Sequence, residues 1–270
     1  MLVTGATSGI GLAAARQLAA RGAYVVVGAR DPERGLAIAA ELQRTGAGAE
    51  LCELNLASFT SIRSAVRTFT ANHSKLDVLI NNAGIFALRR GASVDGHELT
   101  WATNFLGLFL LTQSLLPLLR RAPGPRVVNV SSGAHRYGRI QWSDLDMRHR
   151  YSGGGTYAQS KLAVNLFTRE LAKREARIAT FAVHPGTIAT GIWRDAPAPV
   201  RVLLGAILTS PKRGAVPLVR LALDEAGPSG SYFDKLHPAA PSPQSLNEAD
   251  AARLWEYAEE ITAQKSENIL

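Results

Sequence analysis

Apolar and polar positions follow two rhythms along this chain. Short apolar runs at 1–4, 24–29, 49–54, 76–80, 126–130 and 178–183 have the length and β-branched content of buried strands. Longer stretches with helical spacing lie between them. "GLAAARQLAARG" closes on Gly22 as a C-terminal stop. Pro32 opens a second helix, to about 44, and Ser58 fits the N-cap of a third, to about 72. A long apolar helix is predicted over roughly 97–120 and another over roughly 156–175. Strands alternating with helices make βαβ units, and so an α/β fold: a doubly wound parallel sheet with helices on both faces.

Beyond 184 the rhythm breaks. "HPGTIATGIWRDAPAP" is turn-rich, a helix is expected after Pro211, and "GSYF" (230–233) reads as a seventh strand. "HPAAPSP" reads as an extended connection. An amphipathic helix is expected over about 247–264, with Leu254, Tyr257, Ala258 and Ile261 on one face. With no repeat and no clean boundary, the chain reads as one domain over 1–270, with a substrate-loop region at about 184–215.

Composition narrows the class. With 46% apolar residues the chain can bury a sizeable core. The stretch "FLGLFLLTQSLLPLL" is interrupted by Thr112, Gln113 and Pro117 and looks too short to cross a bilayer, so no membrane span is expected. A single cysteine, Cys52, rules out an internal disulfide framework, and a cytosolic location is the expectation. The formal charge is +8, but the arginines are dispersed and "MRHR" lacks interleaved aromatics, so nucleic-acid binding is not expected. No histidine joins Cys, Asp or Glu at metal-ligand spacing.

"MLVTGATSGIG" places Gly5, Gly9 and Gly11 between the first strand and the first helix. Free N–H groups and the helix dipole converge at such a turn, which suits a pyrophosphate. Its spacing is Gly-x-x-x-Gly-x-Gly, not the standard dinucleotide fingerprint. Thr4 reads as structural. The strand itself is puzzling, since only Met1 to Thr4 precede the turn: either the sheet tolerates a clipped central strand or the native start lies upstream. At the end of the second strand stand Ala29 and then Arg30, where a carboxylate would bond an adenosine ribose. That favours NADP(H) over NAD(H), with Ser8 and Arg30 expected on the 2′-phosphate and Asp31 a complication.

"TYAQSKLA" sets Tyr157 and Lys161 four apart, on one helical face. A neighbouring ammonium would lower a phenol's pKa from about 10 toward the useful range. Six pieces then occur in a fixed order: "TGATSGIG" (4–11), "NNAG" (81–84), "WATNFLG" around Asn104, "VVNVSS" (127–132), "YAQSK" (157–161) and "HPGTIAT" (184–190). In these the chain resembles the short-chain dehydrogenase/reductase family over essentially its whole length. "SSGAHRYGRI", "YAQSKLAVNLFTRELA" and "AARLWEYAEE" resemble its retinol-dehydrogenase-like branch, which includes bacterial reductases of bulky polyketide ketones.

The resemblance implies a Rossmann-type sheet of about seven strands and a set of roles. Tyr157 would be the general acid in carbonyl reduction. Lys161 would hold the nicotinamide ribose and tune Tyr157. Ser132, with Ser131 as fallback, would hydrogen-bond the substrate oxygen, and Asn104 would hold a water linking Lys161 to solvent. Gly5, Ser8, Gly9, Ile10 and Gly11 would cradle the pyrophosphate; Asn82, Ala83 and Gly84 would line the cofactor. Pro185, Gly186, Ile188 and Thr190 would hold its nicotinamide end. Asn55 stands where the family usually has an aspartate on adenine, so weaker or altered binding is expected there. The substrate would be a small-molecule ketone, aldehyde or alcohol, bulky and apolar. Ile188, Ile192, Trp193, Leu203 and Leu204 would line the pocket mouth, or pack as core or oligomer interface. A non-catalytic NADP(H)-binding regulator is the alternative, and a homodimer or homotetramer the family expectation. "YSGGG" (151–155) reads as a substrate lid or an ordinary surface loop, and His135 as a substrate contact or a structural residue.

Overall fold

The computed structural model describes residues 1–186, 210–224 and 227–263. Its centre is an eight-stranded sheet in the order β3-β2-β1-β4-β5-β6-β7-β8. The strands are β1 Leu2–Thr4, β2 Val25–Ala29, β3 Ala49–Glu53, β4 Val78–Asn81, β5 Arg126–Val130, β6 Ala179–His184, β7 Tyr232–Asp234 and β8 His237–Pro238. The first seven are parallel; β8 is a two-residue antiparallel edge not foreseen in "HPAAPSP". β1 pairs with β2 on one side and β4 on the other, so the chain reverses its direction of travel across the sheet there. The crevice beyond the carboxyl ends of β1 and β4 is where such a sheet takes ligands.

The three-residue β1 is central in the sheet, and both its faces are used. Leu2 packs into the core cluster under the helices α3 (Phe59–Asn72), α5 (Gly107–Leu119) and α6 (Gly153–Arg174). Val3 packs into the opposite cluster with α1 (Gly9–Ala19), α2 (Pro32–Gln43) and α7 (Pro211–Leu223). Side chains two residues apart share a face and neighbours oppose. Local signals set the helix starts: Asp31, Ser58, Ser152 and Ser210 each cap one by accepting from a backbone N–H three residues on.

Three expectations change. The glycines after Ser152 do not form a lid or a surface loop; Gly153–Gly155 are the first turn of α6, capped by Ser152. The long apolar segment is helical over Leu99–Leu119, 21 residues with mean hydropathy 1.5, so it is long enough to cross a membrane. It is 78% buried and forms the middle of the core, which accounts for its apolarity. It is also not uniform: α4 (Leu99–Trp101) passes through a π turn, Ala102–Leu106, into α5. The C-terminal helix α8, Glu248–Ala263, buries Leu254 and Ala258 as expected but centres on Trp255, which meets Phe109 edge-on at 5.2 Å between ring centroids. Burial pushes the Cys52 thiol up to about 11, as suits a packed residue.

Candidate active site

Thr4 ends β1 and clasps two strands together. Its Oγ1 accepts from the backbone N–H groups of Asn82 and Ala83, both at 3.0 Å, at the end of β4. The Asn82 side chain returns the contact, donating Nδ2 to the Thr4 carbonyl at 2.8 Å. The turn that follows needs glycine twice: Gly5 and Gly9 have φ of +65° and +55°. Gly11 is required for space, since a Cβ there would lie 2.4 Å from both the Gly5 carbonyl oxygen and Asn82 Nδ2. Ser8 is the exposed N-cap of α1, its hydroxyl makes no cap bond, and the first turn of α1 carries no acidic residue. Ile10 packs partly into the adjacent core. The result is a cradle of backbone N–H groups at a helix's positive end, shaped for an anion.

Beside it, Arg30 is exposed at the end of β2. The Asp31 complication is resolved locally: its carboxylate caps α2, accepting from Arg34 N–H at 3.1 Å. Arg34, which the sequence reading passed over, reaches back to donate to the Thr7 carbonyl in the glycine turn. Nothing in its spacing signals this; it follows from how α2 leaves β2. Asn55 forms a local turn, its side-chain oxygen accepting from Ala57 N–H at 3.0 Å. Pro185 and Gly186 are buried just after β6, and Gly186 has φ of +96°. Ile188, Thr190, Ile192, Trp193, Leu203 and Leu204 lie outside the described residues.

At the end of β5 the two serines divide. Ser131 is buried and donates its hydroxyl to the Lys161 carbonyl. Ser132 caps the 3₁₀ turn Gly133–Tyr137, its hydroxyl accepting from Ala134 N–H at 3.2 Å, and it lies near enough to the Tyr157 phenol to lower the phenol's pKa. The fallback is thus a packing residue. One turn along α6 from Tyr157, Lys161 is 4% exposed; its Nζ donates to the Val130 carbonyl at 2.8 Å and lies 5.7 Å from the Tyr157 ring centroid. Burial alone pulls its ammonium from 10.5 down to about 8. The phenol departs from the expected depression. Burial holds Tyr157 above its ordinary 10, and Ser132 only partly offsets this.

Asn104 sits in the π turn, a distortion common at functional sites. Its amide grips the loop after β4: Oδ1 accepts from Ile85 N–H at 2.8 Å, and Nδ2 donates to the Ile85 carbonyl at 2.9 Å and to Ser160 Oγ at 3.1 Å. Both N–H groups are therefore occupied, and only a lone pair of Oδ1 is left to meet a water. Gly84 leaves the gap that such a water needs. A Cβ there would come to 3.3 Å from Asn104 Oδ1 and 3.4 Å from Lys161 Nζ. Phe86, missed in the sequence, meets Tyr157 edge-on at 5.7 Å. His135 is a structural residue, buried and bonded through both ring nitrogens.

Phosphate cradle, phenol, serine and lysine thus gather at the carboxyl ends of parallel strands, where an oxidoreductase of the dinucleotide-binding class keeps its chemistry. The comparisons agree. A family model for short chain dehydrogenases matches residues 1–200. Retinol dehydrogenase 11 of Homo sapiens is 39% identical over 264 residues, covering 95% of this chain and 83% of that protein. A crystal structure from Mycobacterium Paratuberculosis superposes with a TM-score of 0.78 at 36% identity, covering 97% of this chain and 92% of the other. An active-site complex of Pseudomonas aeruginosa RhlG with NADP gives 0.71 at 27% identity, covering 86% and 93%. The chain belongs to the short-chain dehydrogenase family, whose fold binds a nicotinamide cofactor. Within it, the chain is retinol-dehydrogenase-like.

Proposed function

We propose that this chain is an NADP(H)-dependent reductase, reversibly an alcohol dehydrogenase, acting on a bulky apolar ketone or aldehyde with Tyr157 as general acid and base. The observation that carries the reading is Lys161 Nζ 5.7 Å from the Tyr157 ring, one helical turn along α6, with Ser132 beside the same phenol. The glycine turn fits a dinucleotide, because positive-φ Gly5 and Gly9 shape it at the N-terminus of α1, and Gly11 lets it pack against the Gly5 carbonyl and Asn82. Gly5, Ser8, Gly9 and Gly11 would hold the pyrophosphate, and Pro185, Gly186, Ile188 and Thr190 the nicotinamide end. Bound nicotinamide supplies the hydride.

The chain supplies proton and orientation. A phenol held above its ordinary pKa is fully protonated at neutral pH, and so is ready to donate to a carbonyl oxygen. Ser132 would hydrogen-bond the same oxygen as charge builds on it. Lys161, at about 8, exchanges its proton near neutrality and can resupply the phenol. Preference for the 2′-phosphate is supported by two arginines near the turn and by Asp31 being engaged in capping α2. The bulky apolar substrate is supported by the similarity to a retinol dehydrogenase.

The test is NADPH oxidation across a carbonyl panel of aromatic ketones, retinal and steroids. Tyr157→Phe should abolish turnover and leave NADPH binding intact; retained turnover refutes the mechanism. Arg30→Ala should collapse the preference for NADPH over NADH, and a wild type that already prefers NADH refutes the cofactor assignment.

A further inference from the structure

His135 lies three residues after Ser132 and is fully buried, yet it takes no part in the chemistry just described. Its Nδ1 is 2.6 Å from the Ser132 carbonyl oxygen. A carbonyl only accepts, so Nδ1 carries the proton. The lone pair is then on Nε2, which accepts from Ser242 N–H at 3.1 Å. Both partners are satisfied by one tautomer of a neutral ring, and the ring leans on Tyr232 at 4.8 Å between centroids.

The chain of bonds continues. Ser242 Oγ lies 3.0 Å from Ser245 Oγ, and Asn165 donates to Ser245 Oγ at 3.3 Å. Asn165 is one turn beyond Lys161 on α6. All these groups are buried: Ser242 and Asn165 are 2% exposed, and His135 and Ser245 are 0% exposed. Ser132 is thereby joined to the helix bearing Tyr157 and Lys161 through His135 and the 240s segment.

We infer that His135 is a positioning residue, whose Nδ1–H holds the Ser132 peptide and with it the serine hydroxyl beside the Tyr157 phenol. This rests on the reductase reading for its kinetic consequence but not for its geometry. Asparagine and glutamine separate the two ring nitrogens. The amide of asparagine reaches the place of Nδ1, and that of glutamine the place of Nε2.

The experiment measures kcat and KM for NADPH with α-tetralone and retinal, together with melting temperature, for His135→Asn and His135→Gln. His135→Gln should lose about tenfold or more in kcat with KM for NADPH within about twofold, as expected for a small misplacement of a reacting group. His135→Asn should recover most of that loss. Equal kcat in the two variants, or a loss confined to KM for NADPH, overturns the inference. The ultraviolet titration of the Tyr157 phenol, taken as the difference from Tyr157→Phe, gives a readout free of turnover. It should move upward in His135→Gln, because loosening Ser132 takes away the neighbour that lowers it. An unmoved titration overturns the inference. A wild type that reduces no carbonyl refutes the functional reading alone, and the phenol titration still decides the role of His135.

Discussion

Replacing Lys161 with methionine should stabilise this protein while ending its activity. The Lys161 ammonium is buried, donates one hydrogen bond to the Val130 carbonyl, and pairs with no carboxylate among the described residues. Burial lowers its pKa from 10.5 to about 8, which corresponds to about 3 kcal/mol of destabilisation when the group is charged. The sign follows from proton counts. Between about 8 and 10.5 the unfolded chain holds the proton and the folded chain does not, so stability rises with pH across that window and is flat below it. Methionine matches the length and carries no charge, but orphans the Val130 carbonyl at about 1 kcal/mol. The net gain near neutrality is then about 2 kcal/mol, or about 4–8 °C in melting temperature for a chain of this size. Toward the top of the window the gain disappears and the variant becomes the weaker by about 1 kcal/mol. Urea unfolding of the cofactor-free proteins, at neutral pH and again near 10, measures both ends. A variant no more stable than wild type at neutral pH refutes the reasoning, as does a gap that does not close with rising pH.

Two further outcomes test the scaffold under the site. Thr4→Val keeps the shape but leaves Asn82 and Ala83 N–H without their acceptor, so unfolding free energy should fall by about 2–4 kcal/mol, read by denaturant titration. Gly84→Ala puts a methyl between Asn104 Oδ1 and Lys161 Nζ; kcat should fall about tenfold or more while far-ultraviolet circular dichroism is unchanged.

Much of the fold was legible because the strands are short, β-branched and spaced by amphipathic helices. Strand β5, at Arg126–Val130, falls where the apolar run put it, and α6 begins within three residues of the expectation. The misses have physical causes. Three glycines read as flexible, but Ser152 supplies the missing cap and their small size lets Gly153 sit against the Ala87 carbonyl. Trp255 is not among the four residues that helical periodicity sets on one face, because periodicity does not see the aromatic cluster it joins. At the site, Tyr157, Lys161 and Ser132 were legible as motif members. The reach of Arg34 and the two-sided bonding of His135 were not, since each depends on a partner from another element, Thr7 in one case and Ser242 in the other. The Tyr157 phenol was read as lowered by its lysine, and burial of both groups reverses that in the cofactor-free chain.

The π turn also constrains how this segment can change in length. Gly107 N–H reaches back five residues to the Ala102 carbonyl, which means the helix carries one residue more than regular winding would hold. Two anchors flank that surplus. Asn104 grips Ile85, and Gly107 lies so close to the Leu56 carbonyl that any side chain would collide with it. Each residue advances an α-helix by about 100°. A single-codon deletion between them would regularise the winding and still be harmful, because one anchor would rotate off its target. Descendants of this gene can therefore drift in sequence here, but not in residue count.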